Sequence, residues 1–475
     1  MVFSSNVFLF LFLPAYLLAY YLTPSRYRSW TILIGSYIFY GWWRVDFLLL
    51  FAGVTLWNYL AGRMIDRHGS RSREARRWVI AGIGVDLAIL ACFKYAGFGV
   101  ASLNRLLLSM GLQSLGSLEI ILPIGISFYI FQAISYLVDV YRGDTSSTRR
   151  FVDFAAFIAL FPQLIAGPVL RYKDLAGQFR QRTHSVEKFS EGAARFMQGF
   201  VRKVCIADTL APLADHAFAL AQPGTADTWL GTLAYSAQLY FDFSGYSDMA
   251  IGLGLMMGFR FVENFNQPYF SHSISEFWQR WHISLSTWLR DYLYIPLGGN
   301  RGSLVRTCRN LFLTMLLGGL WHGANWTFVV WGAWHGLWLA LERATGTAIR
   351  EQRRIRPFRL AFTNLLILVG WVLFRSGDLG AAGTMLGAMF VPDGRGLSLL
   401  YREEITGLQV ATLFLAWALI LASGCWQRID LARLPCLPRR TALRHAAATL
   451  LLPLFWLSIL KLSAQSYSPF LYFQF

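Results

Sequence analysis

Six long apolar runs constrain this chain more than any other feature of its sequence. They cover Val7–Leu22, Trp78–Phe98, Ile120–Val140, Trp229–Met257, Leu360–Phe374 and Thr449–Leu460. A helix of about 20 apolar residues spans the hydrocarbon core of a bilayer, where every backbone hydrogen bond must be made internally. The runs therefore predict membrane helices. The 475 residues are 55% hydrophobic and 15% charged, which is typical of a polytopic, all-α membrane protein.

The number of apolar runs, including short and interrupted ones, predicts about 11 to 13 transmembrane or re-entrant helices. Neither a polar linker nor an internal repeat divides the chain. We therefore expect one membrane domain over residues 1–475. Within it, we expect N-terminal helices over 1–150, an interfacial and re-entrant core over 151–310, and the helix of His322 with the C-terminal helices over 311–475.

The charge of the chain is strongly positive, with 43 Lys and Arg against 26 Asp and Glu and a net charge of +17. In a soluble domain this excess would suggest nucleic acid, but here the basic residues gather in short loops between apolar runs. Such loops face the cytoplasm, so we expect membrane lipids rather than nucleic acid as partners, and both termini on the outer side of the membrane, which is the periplasm in a Gram-negative cell. The clearest basic loops are Arg63–Arg77, Arg142–Arg150, Arg171–Lys188, Arg343–Arg359 and Arg428–Arg444.

Several reaction classes lack their sequence signatures. The five cysteines are scattered without a Cys-x-x-Cys pair, and no close set of His, Cys and carboxylates suggests a metal site. The chain also lacks the Gly-x-Ser-x-Gly, Walker and dinucleotide-binding patterns. Hydrolase, ATPase and dehydrogenase chemistry therefore has no support.

His322 is the leading candidate for a catalytic residue. It lies inside an apolar span, Leu311–Val330, where an imidazole is costly and is by default a functional group. Its ring can take up a proton near neutral pH, and Asn325 is close enough in sequence to orient a partner. Glycines that leave room for a ligand or a close helix contact surround it at Gly318, Gly319 and Gly323.

A second candidate is His282, in the half-polar segment Glu276–Pro296. On its own, a histidine in such a segment is more typical of packing than of chemistry. Polar side chains at i, i+4, i+7 and i+11 place one polar face on a single amphipathic helix, which we expect to be interfacial or re-entrant. These side chains are Arg280, Ser284, Thr287 and Asp291.

Other polar residues in apolar sequence have less specific explanations. If residues 322–335 form one helix, thirteen steps of about 100° would leave the rings of His322 and His335 about 220° apart, so a shared site would require a break at Gly332. His335 is therefore expected to be structural. Asp242 and Asp248 should face the interior or a water-filled path, and either packing or a substrate path would explain them.

Taken together, several motifs resemble the membrane-bound O-acyltransferase family, in particular its bacterial branch that acetylates exported polysaccharides. The resemblance extends from the first residue to the tail. The motifs are Met1–Phe8 (MVFSSNVF), Leu122–Phe128 (LPIGISF), Asp242–Ala250 (DFSGYSDMA), Trp281–Tyr292 (WHISLSTWLRDY), Leu320–Trp326 (LWHGANW) and Lys461–Phe470 (KLSAQSYSPF).

This resemblance implies helices around a central tunnel, with a cytoplasmic acyl donor and an extracytoplasmic acceptor at its two mouths. It places His322 at the family's catalytic histidine and His282 at the second histidine of the tunnel. His322 would act as the base, and Asn325 or His282 would orient it or assist at the oxyanion. The implied donor is acetyl-coenzyme A, and no sequence feature identifies the residues that bind it.

The implied reaction is O-acetylation of an exopolysaccharide, such as alginate, at the inner membrane. The implied partners are periplasmic acetyltransferases and the exopolysaccharide machinery. Cellulose or another glycan is the alternative polymer. A non-catalytic transporter of acyl groups or glycans, or a scaffold, would also explain the broken helices, although a transporter predicts symmetry-related repeats, which this sequence lacks.

Overall fold

The computed structural model describes residues 1–165, 167–348, 356–428 and 440–464. These ranges are helical and contain no strand, which confirms the all-α prediction. Part of the predicted connection Arg428–Arg444, the end of the tail motif and Cys436 lie outside the described residues.

The chain forms two compact units. One comprises residues 1–192 and 253–262, and the other residues 193–252 and 263–475. Their boundaries do not coincide with the sections 1–150, 151–310 and 311–475. The organisation of residues 1–475 as one membrane domain stays a prediction.

In the first unit, the predicted apolar runs Val7–Leu22 and Trp78–Phe98 are helical, and further helices lie outside the predicted runs. The run Ile120–Val140 is an exception, because residues 112–123 have no regular structure and the helix begins only at Ile126. Pro123 lacks a backbone N–H, and Gly125 has a φ of +73°, so neither favours an earlier start. The helices are α1 (Leu13–Leu22), α2 (Arg28–Gly41), α3 (Phe47–Arg67), α4 (Arg73–Leu90), α5 (Ala96–Ser109), α6 (Ile126–Arg142), α7 (Phe151–Ala159), α8 (Phe161–Leu164), α9 (Tyr172–Arg180) and the start of α10 (Val186–Val201).

The second unit contains all the candidate site residues. It includes the remainder of α10 and most of the long helix α12. Its helices are α11 (Asp208–Ala219), α12 (Thr225–Met256), α13 (Ile274–Arg280), α14 (Ile283–Leu289), α15 (Leu304–His322), α16 (Trp326–Thr345), α17 (Pro357–Arg375), α18 (Leu379–Phe390), α19 (Leu399–Glu404), α20 (Gly407–Arg428) and α21 (Arg440–Ala464).

Four helical segments in the described ranges are long and apolar enough to cross a membrane. Three shorter apolar helices accompany them, and the protein is therefore a multi-pass membrane protein. The total of about 11 to 13 membrane or re-entrant helices stays a prediction. The four segments are Phe47–Arg67, Arg73–Ser109, Pro357–Arg375 and Gly407–Cys425.

Candidate functional site

His322 is the last residue of α15, not the middle of an apolar span. The expectation of one span over Leu311–Val330 is wrong, because Gly323 has an extended backbone and Asn325 starts a new helix. The Oδ1 atom of Asn325 accepts a hydrogen bond from the N–H of Thr327 at 3.2 Å and so caps α16. Its Nδ2 atom donates to the carbonyl oxygen of Gly377 at 2.7 Å. Both ends of the Asn325 amide therefore bind backbone.

Helices α15 and α16 form a hairpin in which two backbones meet at glycines. A Cβ atom on Gly332 would lie 2.5 Å from the carbonyl oxygen of Met315, and one on Gly319 would lie 2.9 Å from the Cα of Gly332. Real Cβ contacts are longer than these distances. Only glycine permits this approach, which brings the last turn of α15 against the first turns of α16.

Aromatic rings enclose the His322 side chain, and the residue is only 7% exposed. Its ring centroid lies 5.0 Å from that of Trp321, 5.0 Å from that of Trp331 and 5.2 Å from that of Phe374. All three rings are steeply inclined to the imidazole, so they present edge-to-face contacts. The site therefore holds a titratable group in surroundings that exclude most water.

His335 lies closer to this site than the sequence suggested. The single-helix geometry is wrong, because the chain reverses at residues 323–325 and not at Gly332. The ring of Trp331 contacts both histidines, at 5.0 Å from His322 and 4.9 Å from His335. His335 is fully buried, and neither of its ring nitrogens has a hydrogen-bond partner among the described residues.

His282 lies at a sharp break between two short helices. The expected single helix over Glu276–Pro296 is wrong, since α13 ends at Arg280 and α14 begins at Ile283. At the break, His282 has a φ of 44° and a ψ of 53°, which few residues with a side chain adopt. The four polar residues predicted to share one face are thus divided between α13, α14 and the π-helical turn Arg290–Tyr294.

The His282 side chain is fully buried and held on both sides. Its Nδ1 atom lies 3.0 Å from Oδ1 of Asn264, and the ring packs edge-on against Phe243 at 4.7 Å. Its ring lies 6.2 Å from that of Trp321, which also contacts His322. The structure thus gathers three histidines around Trp321 and Trp331, whereas Asn325 binds the backbone at the start of α16.

A cavity of about 880 Å³ lies in the same unit. Its wall includes Leu311 and Met315 of α15, which lie on the helix face that continues through Gly318 to His322. Trp278 also lines the cavity and contacts Trp331 at 5.6 Å. Arg290 and Arg343 supply positive charge to the lining. The cavity therefore combines positive charge with apolar walls, and Trp278 and Met315 link its lining to residues around the histidines.

The two carboxylates of α12 form ion pairs. Asp242 lies 2.7 Å from the Nζ atom of the buried Lys203, and Asp248 pairs with Arg195 and Arg202. Helix α12 is continuous at Gly245, where packing against α10 leaves no room for a side chain. The contact of Asp242 is typical of packing, whereas Asp248 and its two arginines line a cavity of about 380 Å³.

In the first unit, Asp86 accepts a hydrogen bond from Asn58 at 2.8 Å. The Nζ atom of Lys94 donates to Ser127 at 3.2 Å. Asp86 and Lys94 thus each have a hydrogen-bond partner within that unit.

Comparisons with known proteins place this arrangement in context. The family model for membrane-bound O-acyltransferases matches residues 145–375, which include all three histidines and Asn264. A probable alginate O-acetylase of Pseudomonas putida is 62% identical over the whole of both chains, and one of Azotobacter vinelandii is 58% identical with the same coverage. A peptidoglycan O-acetyltransferase of Helicobacter pylori is 37% identical over 85% of this chain and 82% of its own length.

Proposed function

The chain belongs to the membrane-bound O-acyltransferase family, and from this premise we propose that it delivers acetyl groups for the O-acetylation of alginate. The observation that carries the proposal is the full-length similarity to probable alginate O-acetylases, combined with a buried histidine cluster beside a cavity. The protein is an acyltransferase, so the transporter and scaffold alternatives lose their support.

The charge of one loop and the length of α16 indicate on which side of the membrane His322 lies. The basic stretch Arg343–Arg359 begins in the last turn of α16 and, by the positive-inside rule, faces the cytoplasm in our proposal. Helix α16 is not one of the four segments that are apolar enough to cross a membrane by themselves, but its 20 residues extend for about 30 Å, so we place its first residue, Trp326, towards the opposite side of the bilayer. His322 therefore lies near the extracytoplasmic end, which we assign to the periplasmic face of the inner membrane.

We propose that the cavity binds the acyl donor, acetyl-coenzyme A, from the cytoplasm. Arg343 is exposed near the cytoplasmic end of α16, and Arg290 is 60% exposed although it pairs with Asp291. Guanidinium groups bind phosphates well, which suits the nucleotide portion of this donor. Met315 lies seven residues before His322, so the cavity wall ends about 10 Å from the histidine along α15.

The reaction at His322 follows from an imidazole enclosed by aromatic rings. The ring accepts the proton of an acceptor hydroxyl while that oxygen attacks the thioester carbonyl carbon. The C–S bond then breaks, the new ester C–O bond remains, and the thiolate recovers the proton from the imidazolium. Exclusion of water by Trp331 and Phe374 protects the thioester from hydrolysis.

In our proposal, Asn325 supports this reaction by holding the backbone beside His322 in place. Its amide is engaged by Thr327 and Gly377, so it fixes the loop that follows His322 and does not reach the oxyanion. The acceptor hydroxyl belongs to a periplasmic acetyltransferase, which then modifies the polymer with the exopolysaccharide machinery. This relay keeps the polymer itself outside the membrane.

The decisive test compares His322→Ala with wild type in a strain that lacks this protein, at matched membrane levels. We expect ester-linked acetyl on the secreted polymer to disappear while polymer yield stays constant. His68→Ala is the control, since His68 is exposed in a loop. Acetylation at the wild-type level in His322→Ala would refute the catalytic assignment and favour a passive conduit.

The donor cavity has a separate test in membrane vesicles supplied with radiolabelled acetyl-coenzyme A. Thr287 lines the cavity, so Thr287→Trp should fill part of it and raise the KM for the donor at least several-fold. Thr287→Ser is the matched control and should behave like wild type. An unchanged KM in Thr287→Trp would remove the donor from this cavity.

A further inference from the structure

Asn264 contacts His282 through its side chain and the following residue, Ile283, through its backbone. Its Oδ1 atom lies 3.0 Å from Nδ1 of His282 and 2.9 Å from Oγ of Ser284, and its carbonyl oxygen accepts the N–H of Ile283 at 3.0 Å. Asn264 is itself only 1% exposed. One residue therefore holds the backbone break and the imidazole ring together.

The hydrogen bonds fix which end of the Asn264 amide faces the histidine. The backbone N–H of Ser284 points at the same Oδ1 atom, at 3.3 Å, and a backbone N–H can only donate. The other end, Nδ2, donates to Oγ of Ser247 at 3.0 Å. A reversed amide would set two donors against each other, so the atom that faces His282 is the acceptor.

Because Oδ1 accepts, Nδ1 of His282 must carry the proton. The ring is fully buried and no carboxylate contacts it in the described part of the chain, so it is neutral. In a neutral imidazole with a protonated Nδ1, the Nε2 atom carries the lone pair. Nε2 is buried and has no hydrogen-bond partner among the residues that the structure describes.

We propose that Asn264 is a positioning residue that locks His282 as the Nδ1–H tautomer, so that Nε2 is a hydrogen-bond acceptor inside the site. His282 therefore receives a hydrogen bond from the hydroxyl or thiol hydrogen of a reactant, or from a water that bridges to it. It does not donate to the oxyanion. The role of Nε2 rests on the proposed acetyl transfer, whereas the tautomer does not.

This tautomer gives His322 and His282 different roles. His322 exchanges a proton with the acceptor hydroxyl, and His282 orients a polar hydrogen without changing its own charge. Phe243 and Trp321 limit rotation of the His282 ring, at 4.7 Å and 6.2 Å. The tautomer is consequently set by Asn264 and not by the reactant.

Nitrogen-15 NMR on the full-length protein in lipid nanodiscs tests this directly. The protein is labelled with ¹⁵N-histidine, and the His282 signals are identified by their loss in His282→Gln. We expect a protonated-type shift for Nδ1 and an unprotonated-type shift for Nε2. The opposite pattern, with Nε2 protonated, would overturn the proposal.

Variants of Asn264 test whether this residue sets the tautomer of His282. Asn264→Leu should let His282 populate the Nε2–H tautomer and should reduce acetyl transfer by about 10- to 100-fold, by analogy with groups that orient metal-binding histidines. Asn264→Asp retains an acceptor towards Nδ1 and should restore the Nδ1–H pattern with part of the activity. A purely structural residue would not move the tautomer signal.

Asn266→Leu is the matched control, because Asn266 lies two residues away and is exposed. It should leave both the NMR pattern and activity unchanged. Persistence of the Nδ1–H pattern in Asn264→Leu would overturn the role of Asn264. If His322→Ala retains acetylation, the catalytic role of His322 fails while the NMR result still decides the tautomer.

Discussion

The glycine contact between α15 and α16 can be perturbed by a single methyl group. In Gly332→Ala, the new Cβ would lie 2.5 Å from the carbonyl oxygen of Met315 and 3.1 Å from the Cα of Leu316. Both neighbours are backbone atoms, which cannot rotate away as a side chain can. The helices must therefore move apart.

The size of that movement follows from ordinary contact distances. Van der Waals contacts of a Cβ begin at 3.4 Å, so the 2.5 Å separation must grow by about 0.9 Å at Gly332. Overpacking of this kind costs about 1–3 kcal/mol, and the better helix propensity of alanine offsets about 0.5–1 kcal/mol. We expect a net loss of up to about 2 kcal/mol.

The effect on activity should exceed the effect on stability. Trp331 adjoins Gly332 and contacts His322, so separation of the helices displaces one of the rings that enclose the His322 imidazole. A shift of about 1 Å at a reacting group can reduce the rate about 100-fold. Ester-linked acetyl on the polymer should fall by that order in Gly332→Ala, with a modest decrease in Tm.

Polymer acetylation and the Tm of the purified protein in nanodiscs are the two measurements. The control is Gly383→Ala in α18, where a Cβ would meet no atom within 4 Å. It should retain activity and not lose stability. If Gly332→Ala matches Gly383→Ala in both measurements, the close packing does not position His322 and the reasoning is refuted.

Three further substitutions test individual contacts through Tm and polymer acetylation. Asn325→Ala should cost about 1 kcal/mol by uncapping α16, whereas Asn325→Asp keeps the cap and part of the activity; equal loss in both would implicate the amide in chemistry. Lys203→Met leaves buried Asp242 without this lysine and should lower the free energy of unfolding by about 3–5 kcal/mol. Adding Asp242→Leu should recover part of that stability, and no recovery would contradict the pairing. Glu342 accepts a hydrogen bond from the N–H of Ile274, the first residue of α13, at 2.6 Å. Glu342→Ala removes this acceptor and should lower the Tm, whereas Glu342→Gln should lower it less. Equal Tm values in Glu342→Ala and wild type would refute this role of Glu342.

The sequence was sufficient for the fold class, and it singled out His322, whose catalytic role stays a prediction. Long apolar runs form helices in lipid because helices satisfy every backbone hydrogen bond internally. An imidazole among apolar residues is by default a candidate functional group. Helix propensity and periodicity could not show that α15 stops at His322. The pattern Gly323 to Asn325 is a stop-and-cap signal that predicts this break when it is given more weight than the apolar run.

The surroundings of His282 could not be predicted from local pattern. Asn264 lies 18 residues from His282 in sequence, and the two meet only because the chain folds back. The left-handed backbone of His282 also contradicts the amphipathic periodicity of the flanking residues. Such tertiary contacts override local preference, which is why the single helix over Glu276–Pro296 was the wrong expectation.

The aromatic enclosure of His322 also bears on the energetics of the cell membrane. An enzyme that passes an acetyl group through a bilayer must not let protons follow, since each charge that leaks dissipates about 2.3 kcal/mol per 100 mV. The rings of Trp321, Trp331 and Phe374 crowd the imidazole, which leaves little of its surface open to water. In the proposed transfer, the same rings that protect the thioester would also hinder the leakage of protons.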